Sequence, residues 1–228
     1  MPVTISFVSQ KGGVGKSTLA RSVAVVAAKE GVDVLLADLD PQQETAVDWQ
    51  QRRVRNRIEP EVEVRGFISA DDALIAGSTV QLLIIDGPAR ASSGTLELAE
   101  QSDLVVQPCG VAIDDMRPAV LLFHDLVHSG IPSDRMVIAL CRAGSDVEEA
   151  AARRYFAKAG YTVLEGSLQE KSGYREALNR GEGLTECKHK ALAERAVEVI
   201  AGLLELVREE VHTKKVKQPA AKSKARVR

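Results

Sequence analysis

The sequence predicts an α/β fold, a doubly wound and mostly parallel sheet with helices on both faces. Short apolar runs recur at 3–8, 34–37, 82–85 and 136–140, as strands covered on both faces require. Between them, apolar residues return at spacings of three and four, the helical period. Strands alternating with helices in this way pack as a parallel sheet with crossover helices. The chain has 228 residues, 45% of them apolar and only 4% aromatic, which suits one substantial domain with a core of Val, Leu, Ile and Ala. We expect that domain over 1–211 and a basic tail over 212–228.

The first strand, 3–8, runs into Ser9-Gln10-Lys11-Gly12-Gly13-Val14-Gly15-Lys16-Ser17-Thr18, and a helical pattern through Leu19, Val23, Val26 and Ala27 extends from Ser17 to Lys29, with Gly31 as its stop. Glycines at 12, 13 and 15 let several N–H groups converge on one centre beside the positive end of a helix. Polyphosphate is the natural guest. Lys16 would place its ammonium between the outer phosphates, and the Ser17 hydroxyl would be a ligand for the accompanying Mg²⁺. The bland alternative is an ordinary tight turn between strand and helix. Two lysines with Ser17-Thr18 in register weigh against it.

A general phosphate loop has Gly where Gln10 stands, and here a second lysine, Lys11, opens the glycine run. On these residues the sequence resembles the deviant Walker ATPases of the ParA/MinD group. The resemblance implies an ATP and Mg²⁺ site with Gly12, Gly13, Val14, Gly15, Lys16, Ser17 and Thr18 around the phosphates. It also implies that Lys11 crosses to the nucleotide of a partner subunit in an ATP-bound homodimer.

The second strand, 34–37, ends in Asp38-Leu39-Asp40-Pro41-Gln42, two acids where open α/β sheets bind ligands. By resemblance this is a first switch, with Asp38 near the metal and Asp40 orienting the attacking water; alone, the segment also reads as a turn whose Asp caps the next helix. The stretch 44–57 is helical. It contains Trp49, read as a packing residue, and Arg52, Arg53, Arg55 and Arg57, read as a solvated face, with a dimer or DNA surface as the alternative. Residues 62–64 alternate like an edge strand, and Ser69 caps a short helix through Ala76. The strand 82–85 ends in Asp86-Gly87-Pro88. Asp86 resembles the Walker B aspartate, which holds Mg²⁺ through a water, and Gly87-Pro88 resembles the second switch, which implies a backbone N–H near Gly87 that senses the terminal phosphate.

A helix is expected over 93–100, a strand over 103–107 ended by Pro108, and a helix over 115–128. Then follow a strand over 135–140, a helix over 147–159, a short strand over 161–164, a stretch 174–178 beyond a Gly- and Ser-rich loop, and a final helix over 188–211. Relatives often carry Asn-Arg after the 135–140 strand to contact adenine; this chain has Cys141-Arg142.

Three scattered cysteines, Cys109, Cys141 and Cys187, form no Cys-x-x-Cys, so a reduced, cytoplasmic protein without a structural metal is expected. No leader or apolar span is evident, and no membrane attachment is expected. Formal charge is −2, but seven of the 30 cations lie in 212–228 with no acid, leaving 23 basic against 32 acidic residues on the body. Such a tail suits polyanions or serves solubility alone. The resemblance implies non-specific DNA binding, with Arg175, Arg180, Lys188, Lys190 and Arg195 as candidate contacts, a ParB-like stimulating partner, nucleoid association, and a role in plasmid, chromosome or mobile-element partition. A positioning ATPase without DNA binding and a conjugative DNA-transfer accessory protein are the alternatives.

Overall fold

The computed structural model describes residues 2–40, 45–88 and 93–217. Seven strands form one parallel sheet: β1 (Val3–Phe7), β2 (Val34–Asp38), β3 (Glu63–Gly66), β4 (Leu82–Asp86), β5 (Leu104–Cys109), β6 (Met136–Leu140) and β7 (Thr162–Val163), in the order β3-β2-β4-β1-β5-β6-β7. Eight α-helices alternate with them: α1 (Lys16–Lys29), α2 (Thr45–Arg55), α3 (Ala70–Gly77), α4 (Ser93–Gln101), α5 (Ile113–His128), α6 (Asp146–Lys158), α7 (Ser172–Asn179) and α8 (Lys190–Lys217).

The five inner strands are buried along their whole length, whereas β3 and β7, at the edges, are largely exposed or half-buried. The pleat sends alternate residues to opposite faces. Ile5, Phe7, Leu36, Ile84, Val106 and Ala139 meet Leu19 and Val23 of α1, Trp49 of α2 and Ile200 and Leu203 of α8. Their neighbours Leu35, Leu83 and Ile85, and Val105, Ile138 and Leu140, pack against α3 to α6 on the other face. The chain leaves β1 toward β2 on one side and fills β5 to β7 on the other, so β1 is the topological switch point, where such sheets bind ligands at their carboxyl ends.

Several boundaries differ from the sequence reading. Pro108 does not end β5: Val106 O accepts from Val8 N and Cys109 O from Cys141 N, so position 108 faces the side where β1 has already become a loop, and its missing N–H costs no ladder bond. α2 stops at Arg55, and Arg57 takes a positive φ of 54°. Arg53 is no part of a solvated face. It is 1% exposed, donates to Pro60 O and Gly181 O, and forms a bidentate pair with Glu186 at 2.7 and 3.1 Å. Trp49 is fully buried and donates from Nε1 to Glu182 O. Together they fasten α2 to the segment before α8. The helix α8 runs to Lys217, so the backbone of 212–217 is helical; residues 218–228 of the expected tail lie outside the described residues.

Candidate functional site

β1 lies between β4 and β5, and β2 lies beyond β4, with Phe7, Asp86 and Asp38 at matching register. The ends of these strands open a cleft of about 230 Å³ lined by Gly12, Gly13, Gly15, Lys16, Ser17, Thr18, Arg21, Asp40, Thr45 and Gly87. Gly13 and Gly15 have φ of +73° and +113°, values an L side chain rarely adopts. Gly15 is the N-cap of α1 and no side chain caps it, so the first N–H groups of that helix are open to an anion. A Cβ at Gly15 would also sit 3.2 Å from Cys141 Sγ, which puts the β6 end under the loop. Val14 is buried at 3% exposure and anchors the loop through packing.

Lys16 is 6% exposed within the cleft. Burial pushes its pKa down, opposed by the charges of Asp86 and Asp40. Asp86 is 2% exposed, and its pKa is pushed up to about 7 chiefly by burial. The Ser17 hydroxyl bonds to it, and Arg21 and Lys16 also favour its charged form, yet its Oδ1 has no hydrogen-bond partner. A buried carboxylate oxygen left open beside a hydroxyl fits Mg²⁺, which keeps several waters and takes few protein ligands. Among the described residues, no cluster of three or more His, Cys, Asp or Glu is placed to hold a metal.

Asp38 has a different environment. Its Oδ1 accepts from Asp40 N at 3.0 Å and its Oδ2 from Ala46 N at 2.7 Å. It thus holds the main chain after β2 and the first turn of α2, the capping role that the sequence also allowed. Asp40 faces the cleft and acts electrostatically on Lys16; Pro41 and Gln42 lie outside the described residues. Gly87 lines the cleft, but its own N–H donates to Phe7 O at 3.1 Å, and a Cβ there would stand 2.6 Å from that oxygen. Pro88 has no N–H to offer.

Lys11 is outside this cleft. Its Nζ pairs with Asp115 Oδ1 at 2.9 Å, in the first turn of α5, with side-chain exposures of 41% and 17%. Of the five candidate DNA contacts, Arg175 pairs with Glu170, Arg180 with Glu182, Lys190 with Glu194, and Arg195 with Glu149 and Ser167; Lys188 is exposed. At the proposed adenine position Cys141 is buried, its thiol pushed up to about 12 by burial. Arg142 beside it is exposed with φ of 57°.

Arg21 and Thr45 line the cleft without having been singled out in the sequence. For Arg21 the signal was available: it falls four residues after Ser17, on the same helical face.

These strand ends gather glycine amides, a lysine and a hydroxyl around one cleft, the features of a phosphate-binding site in an open α/β fold. The chain belongs to the CobQ/CobB/MinD/ParA nucleotide-binding domain family, whose model matches residues 5–223. The fold is shared with the septum site-determining protein MinD of Pyrococcus horikoshii, solved with Mg-ADP (TM-score 0.69, 17% identity, 96% of this chain and 100% of that one). It is shared too with a ParA family ATPase of Chlorobium tepidum (0.65, 18%, 89% and 98%) and with a variant of McdA from Cyanothece in complex with ATP (0.66, 15%, 92% and 96%). An uncharacterized protein of Methanocaldococcus jannaschii is 26% identical over 155 residues; the match spans 60% of this chain and 58% of that protein. No described helix is long and apolar enough to cross a membrane.

Proposed function

We propose that this chain is a Mg²⁺-dependent ATPase that closes as a homodimer over two ATP molecules and uses that cycle in partition of DNA, with slow hydrolysis stimulated by a ParB-like partner. One observation carries the reading: the two loop lysines divide, Lys16 into its own cleft and Lys11 out of it toward Asp115. A lysine that opens the phosphate loop yet serves no group of its own cleft is available to a second subunit. Bound Mg²⁺ would neutralise charge that shifts during phosphoryl transfer. Lys16 presents its ammonium to the cleft, the Ser17 hydroxyl and the open Asp86 oxygen would hold the metal, and Asp40 on the cleft wall would orient the attacking water.

The test is sedimentation of the protein with ATP, with ADP and without nucleotide, in Mg²⁺, alongside phosphate release. The reading expects a dimer with ATP alone, and a monomer under every condition would refute it. For DNA, a salt-dependent mobility assay under the same nucleotide conditions, with and without residues 212–228, expects retardation that weakens steeply with salt. A second reading, a positioning ATPase without DNA binding, is favoured by the ion pairing of Arg175, Arg180, Lys190 and Arg195 within the chain. It expects no retardation with any nucleotide.

A further inference from the structure

Arg21 occupies a position that neither core packing nor the loop explains. It lies on α1 one turn beyond Ser17, is only 4% exposed, and lines the cleft together with Lys16, Asp40 and Thr45. Its guanidinium carbon is 6.0 Å from the ring centroid of Trp49, a fully buried wall that keeps water away from it. Nε and Nη2 are buried and have no hydrogen-bond partner. Asp86, Asp38 and Asp48 act on it through charge, and Arg52 opposes them.

An arginine cannot escape by losing its proton, so buried donors without acceptors are costly to the folded chain. The other fully buried arginine among the described residues, Arg53, has all three guanidinium nitrogens bonded, to Pro60 O, Gly181 O and Glu186. The contrast between two arginines against the same Trp49 ring indicates that burial here does not by itself leave donors open. Arg21 is short of an acceptor, and the open space beside it is the phosphate cleft.

We propose that Arg21 receives an oxygen of the terminal phosphate of bound nucleoside triphosphate, so that it, more than the loop amides, sets the preference of this site for triphosphate over diphosphate. The proposal rests on the nucleotide-binding reading above. A guanidinium matches phosphate oxygens with paired donors, and Trp49 limits where it can swing. The loop amides and Lys16 would serve phosphates common to both nucleotides, whereas Arg21, one turn further along α1 beside Trp49 and Asp48 of α2, would meet a group that extends past them. Two consequences separate this role from a structural one. Without nucleotide, Nε and Nη2 add no hydrogen bond to the fold, and with triphosphate they do.

The experiment measures equilibrium binding of fluorescent ATPγS and ADP, both with Mg²⁺, to the full chain and to Arg21→Met and Arg21→Lys, together with urea unfolding of each without nucleotide. Arg21→Met is expected to weaken ATPγS by about 10- to 100-fold, the worth of a hydrogen bond to a charged group, and to leave ADP within about threefold. Arg21→Lys, which keeps the charge without the fork, is expected between the two. The urea midpoint of Arg21→Met is expected to equal or exceed that of the wild type. Equal losses for ATPγS and ADP, unchanged ATPγS binding, or a lowered midpoint would each overturn the assignment to the terminal phosphate. Wild-type protein that binds neither nucleotide would instead overturn the nucleotide-binding reading itself.

Discussion

If Lys11 must leave Asp115 before it can reach a second subunit, then Asp115→Asn should make the protein dimerise more readily with ATP. The pair is half-exposed, with Nζ 2.9 Å from Oδ1 and side-chain exposures of 41% and 17%, so its worth falls in the range measured for solvent-screened ion pairs, about 0.5–1 kcal/mol. A symmetric dimer breaks two of them. Asp115→Asn should therefore favour the dimer by about 1–2 kcal/mol, or about 5- to 30-fold in dissociation constant. Asparagine keeps the shape at the start of α5, and Asp114 remains as an acid in that first turn, so the helix loses only a few tenths of a kcal/mol of dipole stabilisation. Sedimentation equilibrium with ATPγS and Mg²⁺ reads the constant directly. The gain should shrink at high ionic strength, where the pair is screened, and should be absent with ADP. Equal dimerisation of wild type and Asp115→Asn at low salt would refute the latch, and a Lys11→Ala protein that still dimerises with ATPγS would refute the crossing lysine altogether.

Other substitutions probe the frame around the site. Gly87→Ala forces a Cβ against Phe7 O, 2.6 Å away, and should destabilise the protein by about 1–3 kcal/mol in urea unfolding. Arg53→Met should cost about 3 kcal/mol at pH 7, because it breaks a buried pair. Burial pushes the Glu186 pKa up, but hydrogen bonds from Arg53, Lys29 and Gly183 N outweigh it and hold the carboxyl below its ordinary value. The stabilisation is present above the unfolded pKa and is lost as pH falls through the lower folded one, so the deficit of Arg53→Met should narrow in acid. For Asp86 the sign is opposite: its folded pKa is raised to about 7 from 3.8, so metal-free protein should lose stability as pH rises from about 4 through 7. Asp86→Asn should flatten that slope and abolish the Mg²⁺ dependence of nucleotide binding measured by calorimetry.

The inner strands were legible because a parallel strand buried on both faces must be apolar along its whole length, as Leu82-Leu83-Ile84-Ile85 is. The phosphate loop was legible because Gly13 and Gly15 need backbone conformations that few residues supply. What stayed hidden depends on contacts far apart in sequence. The partner of Lys11 lies 104 positions away and that of Arg53 lies 133 away, and no local pattern distinguishes an arginine that will be buried from one that will be solvated. Pro108 misled for a related reason. Whether a missing N–H matters depends on which neighbouring strand it faces, and that is a property of sheet order.

The two acids at the strand ends, Asp38 and Asp86, show how one residue type divides its work by position. Asp38 and Asp86 are at matching register on adjacent strands and both are 2% exposed. They differ in donors. Asp38 accepts two main-chain amides, which commits both its oxygens to the main chain at Asp40 and Ala46. Asp86 has only Ser17 and an open Oδ1, and is left able to take a cation. The amides on Asp38 belong to Asp40 and Ala46, so the carboxylate ties the main chain after β2 to the first turn of α2. Asp38→Asn should therefore disturb Asp40 as well as the turn: it offers one acceptor oxygen where two amides need one each. The stability loss is expected at about 1–3 kcal/mol for the donor left unsatisfied, and phosphate release should fall with it, while Mg²⁺ affinity in the presence of ADP stays near that of the wild type. A collapse of Mg²⁺ affinity without loss of stability would instead make Asp38 a direct metal ligand and refute this division.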